Sequence, residues 1–69
     1  MSQDARQNIA KNVKNLREKA GLKREELSLM LNFDNSYISK LEKCRVNITI
    51  DRLEIIANYF GVSIKDLVG

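Results

Sequence analysis

Three features of the 69-residue sequence point to an all-α fold: apolar residues recur at helical spacing along most of its length, Pro is absent with Gly numbering only 3, and strand-like alternation is confined to Val46–Ile50. A hydrophobic content of 43% over this length suffices for one small core and leaves no room for another. Residues 1–69 are therefore expected to form a single domain of five helices, without a separate effector-sensing domain.

The elements follow in order. Residues 1–7 start polar and non-periodic and are expected to fray into a helix that carries Ile9, Val13, Leu16 and Ala20 on one face and ends at Gly21. A second helix begins near Lys23. Glu25 and Glu26 in its first turn complement the positive end of the helix dipole, and Leu27 and Leu31 form its stripe. A three-residue break at Leu31, Asn32 and Phe33 follows. Asn32 falls where a tight turn needs positive φ, which Asn tolerates better than other non-Gly residues. Asp34 is the expected N-cap of a third helix with Ile38 and Leu41 on its apolar side. The run Val46–Ile50 is short and non-helical. Thr49 then caps a fourth helix with the stripe Ile50, Leu53, Ile56, Ala57, Phe60, closed by Gly61. Ser63 and Asp66 have the spacing of a capping box, starting a fifth helix that returns Ile64, Leu67 and Val68 to the core.

The second and third helices, about residues 23–43, have the layout of a helix-turn-helix. Opposite the stripe of the third helix lie Asn35, Ser36, Ser39 and Lys40, which are short hydrogen-bonding groups and one cation rather than the Glu/Lys mixture of an ordinary solvated face. Such a face suits base-pair edges: Asn bonds bidentately to adenine and Lys donates to guanine. Plain solvated polarity is the other reading of Asn35 and Ser36. Asp34 has two readings, of which the structural cap is favoured over an acceptor that selects cytosine.

The formal charge of +3 is modest, but its distribution is not even: residues 1–45 hold ten of the twelve Lys and Arg and six of the nine acids. The basic excess sits with the helix-turn-helix, and the remainder is nearly neutral and rich in Ile, Leu and Val. No run approaches the roughly 18 apolar residues of a membrane span, and no signal pattern is present. The single Cys44 makes no intramolecular disulfide, so a reducing, cytoplasmic setting is expected. His is absent, which leaves Cys44 without a base, and no Gly-rich phosphate loop, metal-ligand cluster or convergent carboxylate pair can be built. These absences argue against an enzyme and against any metal or cofactor. A redox role for Cys44 between Lys43 and Arg45 is a thin alternative.

Leu16-Arg17, Gly21-Leu22, Glu26-Leu27, the turn at Asn32-Phe33, Tyr37-Ile38-Ser39 with Leu41-Glu42, then Leu53, Ile56-Ala57 and Phe60-Gly61-Val62 together resemble the Cro and phage-repressor type helix-turn-helix, the XRE family, over nearly the whole chain. Within it, the segments Ser36–Ser39 and Arg45-Val46-Asn47 look most like short stand-alone regulators, including controllers of restriction-modification systems. The resemblance implies a compact five-helix, lambda-repressor-like domain that binds double-stranded DNA and regulates transcription, with helices 2 and 3 as the helix-turn-helix. It implies base contacts from Asn35, Ser36 and Lys40, with Tyr37 and Ser39 as neighbours. It further implies phosphate contacts from Lys23 and Arg24, where the family usually has a small capping residue and a Gln, and from Lys43, Arg45 and Asn47. For each cation a solvated surface role is the alternative. Arg17 and Glu42 would form a partly buried ion pair; as two surface charges they would contribute at most about 1 kcal/mol. The chain departs from the family pattern at Asn32 and Cys44, where Gly is usual, and at Ile48, where Pro is usual. Cys44 would then need positive φ, at a local cost of order 1 kcal/mol.

Ile55 and Tyr59, four apart on the fourth helix and off its stripe, offer an apolar patch through which helices 4 and 5, about residues 50–68, would serve as core and dimer face. The reading that follows is a homodimer on a short two-fold symmetric operator, controlled by its own concentration. The competing reading is an antitoxin-like or other protein-binding module with only weak DNA binding. Leu29, apolar where the family is usually polar, has no assigned role.

Overall fold

The computed structural model describes residues 4–69, which form α1 (Ala5–Lys19), α2 (Arg24–Met30), α3 (Tyr37–Glu42), α4 (Ile50–Phe60) and α5 (Ile64–Val68), with no strand among the described residues. The expected frayed start falls partly on residues 1–3, which lie outside the described residues. Asp4 is the N-cap of α1, its carboxylate accepting from the Gln7 amide at 3.0 Å.

Helices of 7, 6 and 5 residues, the lengths of α2, α3 and α5, lie far below the roughly 12–15 residues that an isolated helix needs. Packing holds them. α1 lies against α5 and α3, α2 against α3, and α4 against α5, around a core that includes Val13, Leu27, Ile38, Ile56 and Leu67. Polar side chains of α1 complete the pairing with α5: Asn8 donates to the Val68 carbonyl at 3.1 Å, and Asn12 to those of Leu67 at 2.8 Å and Asp66 at 3.2 Å. These are carbonyls that the end of a helix leaves without an internal partner.

The apolar stripes need two corrections. On α1 the buried set is Ile9, Ala10, Val13 and Arg17; Leu16 is half-buried, and Ala20, beyond the last helical residue, is exposed. Arg17 takes a buried place because its charge is partnered there. On α4 the core begins at Leu53, and Ile50 in the first turn is 64% exposed, so the periodicity runs one turn past the core. The break between α2 and α3 also differs from expectation, running from Leu31 to Ser36 rather than over three residues. Asp34 is not the N-cap: its carboxylate accepts from the amide and the hydroxyl of Ser36, and the Tyr37 amide donates to the Asp34 carbonyl at 2.9 Å. The Ile38 amide, which would bond to the Asp34 carbonyl in a helix starting at residue 35, goes to a side chain of α2 instead; the Lys40 amide donates to the Ser36 carbonyl at 3.0 Å, and Ser36 becomes the cap residue.

Four helix ends share one device. After α1, α2, α3 and α4 a residue at φ between 59° and 72° reverses the chain: Gly21, Asn32, Cys44 and Gly61. At each, two amides reach back to the last turn; in α3 the Cys44 amide donates to Leu41 at 3.0 Å and the Arg45 amide to Lys40 at 2.9 Å. The capping box of α5 is formed by Ser63 and Asp66 in both directions, at 3.1 Å each way.

Candidate nucleic-acid interface

The relative placement of α2 and α3 decides what the surface presents, and a buried serine fixes it. Ser28 on α2 is fully buried; its hydroxyl donates to the Arg24 carbonyl at 3.0 Å and accepts from the Ile38 amide at 3.1 Å. That amide is one of the donors at the start of α3 that no residue of α3 can satisfy, and Ser36 makes no side-chain capping bond. The first turn of α3 is therefore capped from the preceding helix. Sequence reasoning missed Ser28, although a hydroxyl inside the Leu27–Leu31 stripe is the trace it leaves.

With α3 so held, Asn35 and Lys40 are exposed and Ser36 and Ser39 half-exposed. Tyr37 departs from this group. Its ring is buried, packed edge-on against Phe33 with centroids 4.9 Å apart, so it belongs to the core more than to the polar face. The Asp34 carboxyl is held below the ordinary carboxylate range, first by the Ser36 hydroxyl and then by the Ser36 amide. Both bonds fall on one carboxylate oxygen, Oδ2, and the residue is exposed.

Lys23 and Arg24 at the start of α2 share one open groove with Asn35 and Ser39, so two of the expected phosphate-contact residues stand beside two of the expected base-contact residues. Lys has no acceptor with which to cap α2. The Glu26 carboxylate supplies the reciprocal bond instead, accepting from the Lys23 amide at 2.8 Å. Lys43, Arg45 and Asn47 are exposed on the connector after α3, where Arg6 of α1 joins them, donating to the Asn47 side-chain oxygen at 3.5 Å.

Behind this face, Arg17 clamps the end of α3. Its Nε donates to Glu42 at 2.7 Å, its second terminal nitrogen to the other carboxylate oxygen at 3.2 Å, and its first to the Leu22 carbonyl at 2.8 Å. Both side chains are nearly sealed from solvent, at 9% and 5% exposure, and the bond to Glu42 raises the Arg17 pKa further above its ordinary value. Arg24 stands 3.8 Å from the same carboxylate while remaining half-exposed. The exposed Ile55 and Tyr59 of α4 continue into α2, where the Tyr59 hydroxyl lies 3.6 Å from the Met30 sulfur. Met30 thus extends a patch that helical spacing alone limited to α4. No group of three or more His, Cys, Asp or Glu among the described residues is placed to hold a metal ion.

Two short packed helices joined by a turn, the second with an exposed polar face, define the helix-turn-helix class of DNA-binding domain. The chain belongs to the helix-turn-helix family, whose pattern matches residues 13–67. Within that class it is a DNA-binding transcriptional regulator of the XRE type and not an enzyme. A relative from Sinorhizobium fredii, described as the uncharacterised HTH-type transcriptional regulator y4dJ, is 37% identical over 65 residues, covering 94% of this chain and 84% of its own. The crystal structure of the hypothetical transcription factor NHTF from Neisseria superposes with a TM-score of 0.90 at 33% identity, over 97% of this chain and 77% of that one. A variant of the restriction-modification controller protein C.Esp1396I gives 0.78 at 30% identity, over 91% and 80%.

Proposed function

We propose that this chain is a sequence-specific regulator that binds a short, two-fold symmetric operator as a homodimer, with Asn35, Ser36, Ser39 and Lys40 reading bases. Lys23, Arg24, Lys43, Arg45 and Asn47 hold phosphates on either side of the recognition helix, and Ile55 and Tyr59 join the two copies. The observation that supports this reading is the open groove in which Lys23 and Arg24 at the start of α2 stand beside Asn35 and Ser39 of the α3 region. Tyr37 is left out of the base-contact set because its ring is in the core. The likeness to a restriction-modification controller favours a circuit in which occupancy follows protein concentration, dimerisation and binding to neighbouring sites, without a small-molecule effector. Its place of action is the cytoplasm of a bacterial cell, where the operator is.

Selection of bound duplexes from a randomised DNA pool at physiological salt tests this. A two-fold symmetric motif is the expected result. A single asymmetric half-site would retain sequence reading and remove the dimer, and no enrichment would overturn the reading in favour of a protein-binding module.

A further inference from the structure

Arg52, in the first turn of α4, takes no part in any of the roles above. Its guanidinium carbon lies 4.6 Å from the ring centroid of Tyr37 and 4.9 Å from that of Phe33. Those two residues bracket Asn35 and Ser36, so the cation is carried to the entry of the recognition helix by a different element from the ones that form it. The side chain is exposed, and no described carboxylate lies within ion-pair distance of it, whereas Arg6, Arg17 and Arg24 each have one.

A solvated arginine on a helix normally samples many rotamers. Contact with two aromatic rings restricts that sampling and leaves the N–H groups at the guanidinium edge free to donate. A planar, pre-positioned, unneutralised fork of donors suits a phosphate oxygen pair. We propose that Arg52 is a phosphate-contact residue of the DNA interface, held in position by Phe33 and Tyr37. The assignment rests on the DNA-binding reading and adds a contact from α4, outside the helix-turn-helix itself. Phe33 and Tyr37 are positioning residues here: they order the cation without touching DNA.

The test uses the full chain and a 30-base-pair duplex of random sequence, titrated over a range of KCl concentrations. Removing one phosphate contact makes the slope of log affinity against log salt shallower by about 0.9, and at 0.15 M salt weakens binding about fivefold per bound copy. Arg52→Gln, which keeps a planar head group without the charge, is expected to show both changes; Arg52→Lys is expected to keep the slope. In the unaltered protein, labelled at arginine, the Arg52 Nε–H resonance is expected to shift when the duplex is added, a readout that holds even if the glutamine variant folds poorly. An unchanged slope for Arg52→Gln together with an unmoved Arg52 resonance overturns the assignment, as does a change confined to self-association in sedimentation. Relaxed preference at one base position would also overturn it, by making Arg52 a base reader. If the unaltered protein does not bind the duplex at all, the DNA reading itself falls, an outcome visible before any variant is made.

Discussion

Ser28 carries more of the architecture than its size suggests. Its hydroxyl is the only partner of the Ile38 amide among the described residues, and both residues are fully buried. Ser28→Ala is expected to leave that amide buried and unsatisfied, at a cost of about 1–3 kcal/mol. Thermal denaturation reads this as a fall of about 4–8 °C per kcal/mol for a domain of this size. A variant as stable as the parent would mean that α3 finds another cap. Asn35 makes no side-chain hydrogen bond among the described residues, so its amide is available to a ligand. Asn35→Ala should keep stability within about 0.5 kcal/mol, as surface changes do. In binding-site selection it should relax preference at one operator position, worth about 1–3 kcal/mol of discrimination. The two residues differ in how far the sequence reveals them. Asn35 stands in a polar face that helical spacing exposes. The tasks of Ser28 and Arg52 depend on partners 10 and 15 or more residues away, on helices whose relative placement no local pattern contains.

Helix ends show which parts of an element are written locally and which are not. Thr49 and the Ser63–Asp66 pair cap their helices as spacing implies, because the acceptor and the amide it meets lie within three residues. Asp34 fails as the cap for a reason that is not local: its carboxylate accepts from Ser36 two residues on, but the Ile38 amide goes to Ser28 of α2 rather than to the Asp34 carbonyl, and α3 starts at Tyr37. Positive φ was legible at both non-Gly positions, Asn32 at 65° and Cys44 at 59°. Their consequences differ, since Asn eases the left-handed conformation with its short polar side chain, whereas Cys has no such compensation. Cys44→Gly is expected to raise stability by about 1 kcal/mol, the strain that a side chain imposes in this region. Its exposed thiol contributes only a long contact of 3.8 Å to the Arg6 carbonyl, so little disappears with it. Equilibrium urea unfolding measures the gain, and a midpoint that stays put or falls would show that Cys44 is unstrained. The Cys44→Gly protein should bind DNA with unchanged preference, because the turn bonds from Cys44 and Arg45 are backbone bonds.

The molecule measures 33 × 24 × 22 Å, and the spacing between successive major-groove faces on one side of a duplex is about 34 Å. On the proposed two-fold symmetric operator each copy would read one half-site with its single α3, and the second copy would be related to the first by the two-fold axis. The exposed Ile55, Tyr59 and Met30 lie where α4 meets the end of α2, and they include none of the residues proposed to contact DNA. An isologous contact there brings each residue against the same patch of the partner, so one substitution acts twice. Ile55→Glu should therefore place two carboxylates in the interface and weaken dimerisation at least about tenfold, equivalent to about 1.4 kcal/mol. Its fold should survive, because Ile55 faces solvent in the single chain at 42% exposure. Sedimentation equilibrium is expected to show a concentration-dependent dimer for the parent and a monomer for the variant. On a duplex holding two half-sites, occupancy should rise with the square of protein concentration for the parent, and linearly and far more weakly for the variant. A variant that dimerises like the parent would remove Ile55 from the interface. Equal occupancy of half-site and full-site duplexes by the parent would remove the need for a dimer altogether.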